Sequence, residues 1–262
     1  MAPSSSAGLL DPSVFIGEYP FRDVPHPEPD ILAKVIAREG ITHAWVGHLP
    51  SAWADDPTAG NVALYRALEP FRVTLSPAPT IRPDLPGWES ALHDAAKAGA
   101  AAIRAYPPQW KFTPDNAAMR ELALACAAHK LPLILTVRFE DLRQRSARDT
   151  AGDLTGAAIR AVARAGDGVR VIVSAAGRDL IEEVHWGLTA AEQARVWWDI
   201  SWIWGPPEDH LAKLFRTIGS TRFVFGSQWP LRLVQSPKAN LELLPSDVAN
   251  APLGDPRTWS GG

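Results

Sequence analysis

In this chain of 262 residues, arginine, acid and indole side chains recur where apolar, β-rich runs end. Arg104 sits in "AAIRAYP", Arg138 in "LPLILTVRF", and Arg82 follows "SPAPTI". Guanidinium groups hold carboxylates and phosphates through paired hydrogen bonds. Three of them at one mouth would form an anion clamp. Each could instead pair with a nearby acid, as Arg138 with Glu140 or Asp199. Arg104 is the strongest candidate. It shares a strand face with Tyr106, and an arginine set in an apolar strand needs a partner.

The segment "FEDLRQR" places Glu140, Asp141, Arg143 and Arg145 together. Paired carboxylates do acid–base work when their environments drive their pKa values apart. The plain alternative for Asp141 and Arg143 is a pair of loop charges in solvent. His48 ends the run "THAWVGH" and is a candidate general base. His43 precedes the apolar part of that run and reads as structural. His93, His129, His185 and His210 fall on helical stretches and read as surface residues. No two histidines stand two or four apart, so no local metal pair exists. There are 11 Trp beside 3 Tyr. In "WWDISWIWG", Trp198, Trp202 and Trp204 share one parity, while Trp197, Asp199 and Ser201 share the other. Core packing is the expected use of most indoles. Trp204, Trp229 and Trp110, near strand ends, are the candidates for an aromatic wall against a planar substrate.

Such groups need a scaffold, and the chain alternates β-rich runs with amphipathic ones throughout. In "PDILAKVIAREG", Ile31, Leu32, Val35 and Ile36 share a helical face, and Gly40 is a natural stop. Asn61 reads as the N-cap of the second helix. This alternation implies βαβ units and a parallel sheet. Eight units in a chain of this length imply a closed (β/α)8 TIM barrel. A doubly wound open sheet is the alternative, weakened by the lack of a Gly-rich phosphate fingerprint after the first strand. We read residues 1–8 as a disordered arm, 9–245 as one barrel domain and 246–262 as an irregular tail. A barrel's active site lies at the C-terminal ends of its strands. That selects Glu18, Tyr19, Arg22, His48, Arg82, Arg104, Tyr106, Arg138, Glu140, Asp141, Asp199, Ser201, Trp202, Gln228 and Trp229.

Composition bounds the partners. The net charge is −3 and no Lys/Arg run marks a nucleic-acid surface. No apolar run reaches the roughly 20 residues of a membrane span, and "MAPSSSAG" lacks the pattern of a signal peptide. The single cysteine, Cys126, excludes an intrachain disulfide and reads as a core thiol. The expectation is a cytoplasmic protein with a small-molecule substrate, no cofactor, no nucleic-acid or membrane partner, and possible homodimerisation.

The segments "GAAAIRAYPPQWKF", "LPLILTV", "VIVSAAG" and especially "TRFVFGSQWP" resemble strand landmarks of the amidohydrolase-related (amidohydrolase 2) barrels. The resemblance spans about residues 9–235. It implies a distorted TIM barrel that usually binds a divalent metal and catalyses hydrolysis or metal-assisted decarboxylation. The implied ligands do not carry over. The histidines of the first strand fall on Ser13 and Phe15, those of strands five and six on Thr136 and Ala175, and the aspartate of strand eight on Gln228. The turn "GEYPFRDVP" and the "FED" segment resemble a histidine-poor branch of the same barrels. The reading is a metal-independent hydrolase or lyase, with a decarboxylation step as one option, for a small carboxylate-bearing, apolar or aromatic substrate. Arg104 and Arg138 would clamp the anion. Glu140, Asp199 or His48 would move protons, and Arg22, Tyr19, Tyr106, Gln228 and Trp229 would position the substrate. Two alternatives stand beside it: a catalytically silent barrel used for binding or scaffolding, and a metal enzyme with ligands such as Glu18, His48 and Asp199.

Overall fold

Short runs of Val, Ile, Leu and Trp form eight parallel strands: β1 (Leu9–Ile16), β2 (Ile41–His48), β3 (Leu75–Pro77), β4 (Ile103–Ala105), β5 (Leu133–Thr136), β6 (Val171–Ser174), β7 (Val196–Asp199) and β8 (Phe223–Val224). They are seen in a computed structural model that describes residues 8–25 and 27–260. All of the expected arm except Gly8 lies outside the described residues. Strands β1 to β3 pair in order, as do β4 to β8. The two arcs meet at both seams. Arg104 N donates to Pro79 O at 2.9 Å and Ile81 N to Arg104 O at 3.1 Å, while Phe15 N donates to Trp229 O at 2.8 Å. The result is the expected (β/α)8 barrel.

Helices α1 (Pro29–Arg38), α2 (Thr58–Leu68), α3 (Trp88–Lys97), α4 (Ala117–Ala128), α5 (Gly156–Ala163), α6 (Arg178–Trp186), the short α7 (Ala190–Gln193), α8 (His210–Thr217) and α9 (Gln235–Glu242) follow the strands. Helix α1 buries Leu32, Val35 and Ile36. Asn116 caps α4, its side chain accepting from Met119 N. Asn61 does not cap α2, which begins three residues earlier. Its amide instead donates to Thr80 O at 2.7 Å and accepts from Thr80 N at 2.9 Å, tying α2 to the end of β3. His185 is buried against the barrel rather than exposed, because it shares the inward face of α6 with Ile181 and Val184.

The barrel interior is layered, as alternation along closed strands requires. Leu10, Trp45, Ala78, Ala102, Ile134, Ile172, Trp197 and Val224 form an apolar floor. Trp259 closes it from below, stacking on Trp197 with ring centroids 3.7 Å apart. Arg257, in the same tail, donates to Gly8 O and Asp255. Two residues further along the strands, the same parity carries Gly47, Thr80, Arg104, Thr136, Ser174, Asp199 and Gly226. A register irregularity between Asp11 and Val14 brings Asp11 and Ser13 to this level. The middle layer is therefore polar, and its side chains are essentially inaccessible.

Two glycines make room for that layer. A Cβ at Gly47 would lie 2.6 Å from Arg104 Nε, and one at Gly226 would lie 2.6 Å from both Asp199 Cβ and Ser13 Oγ. Gly226→Ala is expected to cost about 1–3 kcal/mol of stability by overpacking, because Asp199 Cβ cannot swing away. Urea unfolding checks this, and an unchanged midpoint would contradict it.

Candidate functional site

Aromatic side chains plug half of the barrel mouth. Phe139, just past β5, is their hub, with ring centroids 4.6 Å from Trp53, 5.5 Å from Tyr106 and 5.9 Å from Phe15. Tyr19 and Phe21, from the turn after β1, pack edge-on against Trp53. Trp110 meets Tyr106 in the same way. Of the expected wall residues, Trp110 and Trp229 are thus buried, and only Trp204 faces solvent.

The other half of the mouth is open. A pocket of about 380 Å³ is lined by Arg22, Glu140, Asp141, Arg143, Trp202, Trp204 and Arg232, with apolar support from Phe139, Leu231 and Leu233. Strand β7 ends at Asp199, so the strand parity lapses and Trp202 turns up into the mouth. Two guanidiniums lie within cation–π distance of the Trp202 ring, Arg232 at 4.5 Å and Arg138 at 5.5 Å. Its Nε1 donates to Gln228 Oε1 at 2.5 Å, which fixes the ring.

Charge pairing within the pocket is uneven. Glu140, 5% exposed, accepts from Arg22 Nε at 2.5 Å. Arg143 grips Asp141 through two nitrogens and holds that carboxyl down at about 2. The Arg232 guanidinium makes no hydrogen bond or ion pair among the described residues. Burial lowers its pKa, opposed by the fields of Asp199 and Asp141. Three guanidiniums thus face two carboxylates, and the unmatched charge is that of Arg232. The sequence reading missed Arg232, which lies in a turn beyond β8 where no periodicity marks it. Its place four residues past Gln228, at the mouth end of a strand, was the available signal.

The structure brings together only part of the expected site. Arg22 and Glu140 meet in the pocket. Arg138 is not among the pocket's lining residues and is tied to Asp153 at 2.6 Å. Arg145 holds Asp153 as well and donates to Glu140 O, which knits this loop. Arg104 does not reach the mouth. It is 0% exposed in the middle layer, with Nη2 donating to Pro12 O at 2.7 Å, Trp45 O at 3.2 Å and Val14 O at 3.3 Å. Its strand face points into the barrel one level too low. Asp199 is equally buried and accepts from Ser174 Oγ, Ala175 N, Ser201 N and Ser201 Oγ, so it has no face toward a substrate. His48 lies outside the pocket, its Nδ1 2.8 Å from Ser51 Oγ, and burial lowers its pKa. Tyr19 and Tyr106 belong to the plug, and burial raises the pKa of both phenols. Gln228 and Trp229 are buried beneath the mouth.

The metal implied by the resemblance does not fit these residues. Phe15 and Ala175 have no donor, the Gln228 amide is committed to Trp202 and Ser174, and Arg104 puts a fixed positive charge into the same interior. No group of three or more His, Cys, Asp or Glu among the described residues could hold a metal ion. A catalytic zinc needs about three such ligands.

No protein-family model matches the sequence, and no curated protein matches it. Solved structures do match the fold. One is a 2,6-dihydroxybenzoate decarboxylase from Rhizobium, at 11% identity over 92% of this chain and 96% of that one, with a TM-score of 0.64. Another is a 5-carboxyvanillate decarboxylase from Novosphingobium aromaticivorans complexed with manganese, at 12% identity over 88% and 79%, with a TM-score of 0.65. A third is a probable 2-pyrone-4,6-dicarboxylic acid hydrolase from Acinetobacter baumannii with citric acid bound, at 9% identity over 89% and 91%, with a TM-score of 0.61. At these identities the likeness shows the fold alone, a (β/α)8 barrel.

Four donors converge on Asp199, and an asparagine in its place would turn an amide N–H₂ toward some of them. Asp199→Asn should therefore cost at least ~2–3 kcal/mol of folding free energy. Denaturant titration reads this directly, and a loss below half a kilocalorie would show that the hydrogen bonds are not made.

Proposed function

We propose that this chain is a metal-independent relative of the amidohydrolase-related barrels and acts on a small planar acid bound at the open half of the mouth. The observation that carries the reading is the unpaired Arg232 guanidinium, held against Trp202 in a 380 Å³ pocket with Glu140 on its wall. A carboxylate on the ligand would complete the charge balance of the lining. Trp202, Trp204 and Leu233 offer flat and apolar surface to its body. The named substrates of the neighbouring structures are ring-bearing acids, which agrees with this chemistry.

Glu140 is the one carboxyl placed to move a proton here. In a decarboxylation its carboxylate would take a proton from a ring hydroxyl or a water and pass it to the ring carbon as the C–C bond breaks and CO₂ leaves. In a hydrolysis it would take a proton from the attacking water. Arg22 holds it from one side, and the Arg145 contact to its backbone oxygen holds it from the other. A metal-free route asks the guanidiniums and the proton carrier to do what a metal hydroxide does in other barrels.

Calorimetric titration with 2,6-dihydroxybenzoate, and with its neutral amide as control, tests the site. The acid should bind and the amide should not. Arg232→Ala should weaken binding by roughly ten- to a hundredfold, the range of a lost charge-assisted pair. Glu140→Gln should leave binding within a few fold and abolish turnover. Chelator treatment should change neither. Binding indifferent to Arg232, or stoichiometric zinc or manganese in the active protein, would refute the reading. A second reading is a silent binding barrel, favoured by the aromatic plug and by the existing Arg22–Glu140 pair. Unchanged acid in prolonged incubation, with binding intact, would select it.

A further inference from the structure

Two chain segments each line the open pocket with an inner and an outer residue. On the segment after β7, Trp202 is buried and Trp204 is 53% exposed. On the turn after β8, Arg232 is half-buried and Leu233 is 63% exposed. The inner pair forms the cation–π contact at 4.5 Å. The outer pair leaves large apolar surface in water at the edge of a pocket, which marks a place where a ligand covers it.

The outer pair is also held in place. Leu211 N donates to Trp204 O at 3.1 Å, and the Asn240 amide of α9 donates to the neighbouring Ile203 O at 2.8 Å. Ser236 N, in the first turn of the same helix, donates to Leu233 O at 3.1 Å. Helix α9 thus supports the chain at both exposed side chains. An apolar surface fixed before the ligand arrives costs less ordering entropy on binding.

Size points the same way. The pocket holds about 380 Å³, whereas a cavity of ~150 Å³ takes a benzene ring. A single-ring acid with its carboxylate on Arg232 leaves the rim uncovered. We propose that Trp204 and Leu233 form an apolar subsite that sets specificity, and that the favoured ligand is an aromatic acid extended by a second ring or an apolar group of similar size. The acid end meets Arg232 beside Trp202, and the extension covers Trp204 and Leu233. This inference rests on the mouth binding an acid through Arg232 and adds which acid it selects.

The test is calorimetric titration of the full chain with salicylate and with 3-hydroxy-2-naphthoate, which adds a fused ring to the same hydroxy acid. The naphthoate should bind about tenfold tighter. Combining Trp204→Ala with Leu233→Ala changes only exposed positions, and circular dichroism checks that the fold persists. That variant should bring the affinity ratio of the two acids below about threefold, and Trp204→Phe alone should keep most of the ratio. Arg232→Ala should weaken both acids alike and leave the ratio in place. Equal affinities in wild type, or a ratio unmoved by the double variant, overturns the subsite, and the acid-binding reading survives if Arg232→Ala still weakens binding. If neither acid binds, or Arg232→Ala weakens neither, the reading of the mouth fails and the subsite falls with it.

Discussion

A guanidinium with no accessible surface, sealed inside a barrel beside two acids, is the constraint around which this interior is organised. Taking a charge out of water costs several kcal/mol even after relaxation, so its surroundings must offset that cost through many weak contacts at once. The carbonyls of Pro12, Val14 and Trp45, the ring of Phe15 and the fields of Asp11 and Asp199 all serve it. Other choices follow from it. Gly47 must lack a side chain, and Gly226 must leave room for Asp199 and Ser13. Beneath this layer, a floor that is apolar on every strand keeps water away and is closed by Trp259.

Filling the axis moves the useful surface sideways. Phe15, Tyr106 and Phe139 pack together in the plug, and Phe15 covers Arg104 directly. The pocket forms instead over β5, β7 and β8, where β7 stops early and Trp202 turns outward. Trp202 links the interior to the mouth, since Gln228 in the interior fixes its N–H while Arg232 and Arg138 both lie within cation–π distance of its ring. Asp153 pairs with Arg138, whereas the Arg232 guanidinium has no such acid and is free to meet an anion.

The architecture was legible in the sequence because alternation of β-rich and amphipathic runs is a local signal repeated eight times, and each repeat supports the same conclusion. The site was legible only in part. Parity places Arg104 and Tyr106 on one face, but it does not give their height along the barrel axis, and height separates a mouth clamp from a buried ion. Parity also misleads at Trp202, because it holds only while the strand continues, and β7 ends at Asp199. Arg22 and Glu140 were found because both lie in turns directly after strands, where position alone is informative. Arg232 lies in a turn too, but its value comes from lacking a partner, and a missing partner is a property of the folded surroundings.

Residues at the ligand positions that the resemblance implies also build the surroundings of the barrel axis. The residues standing at the implied ligand positions do more than fail to coordinate. Phe15 covers the guanidinium of Arg104, and Gln228 fixes Trp202 from below. These two side chains thus have positive tasks, and Arg104 could not fit beside a Cβ at position 47. Such close packing makes the polar layer and the residues above it one filled unit, in which Arg104 is fully buried.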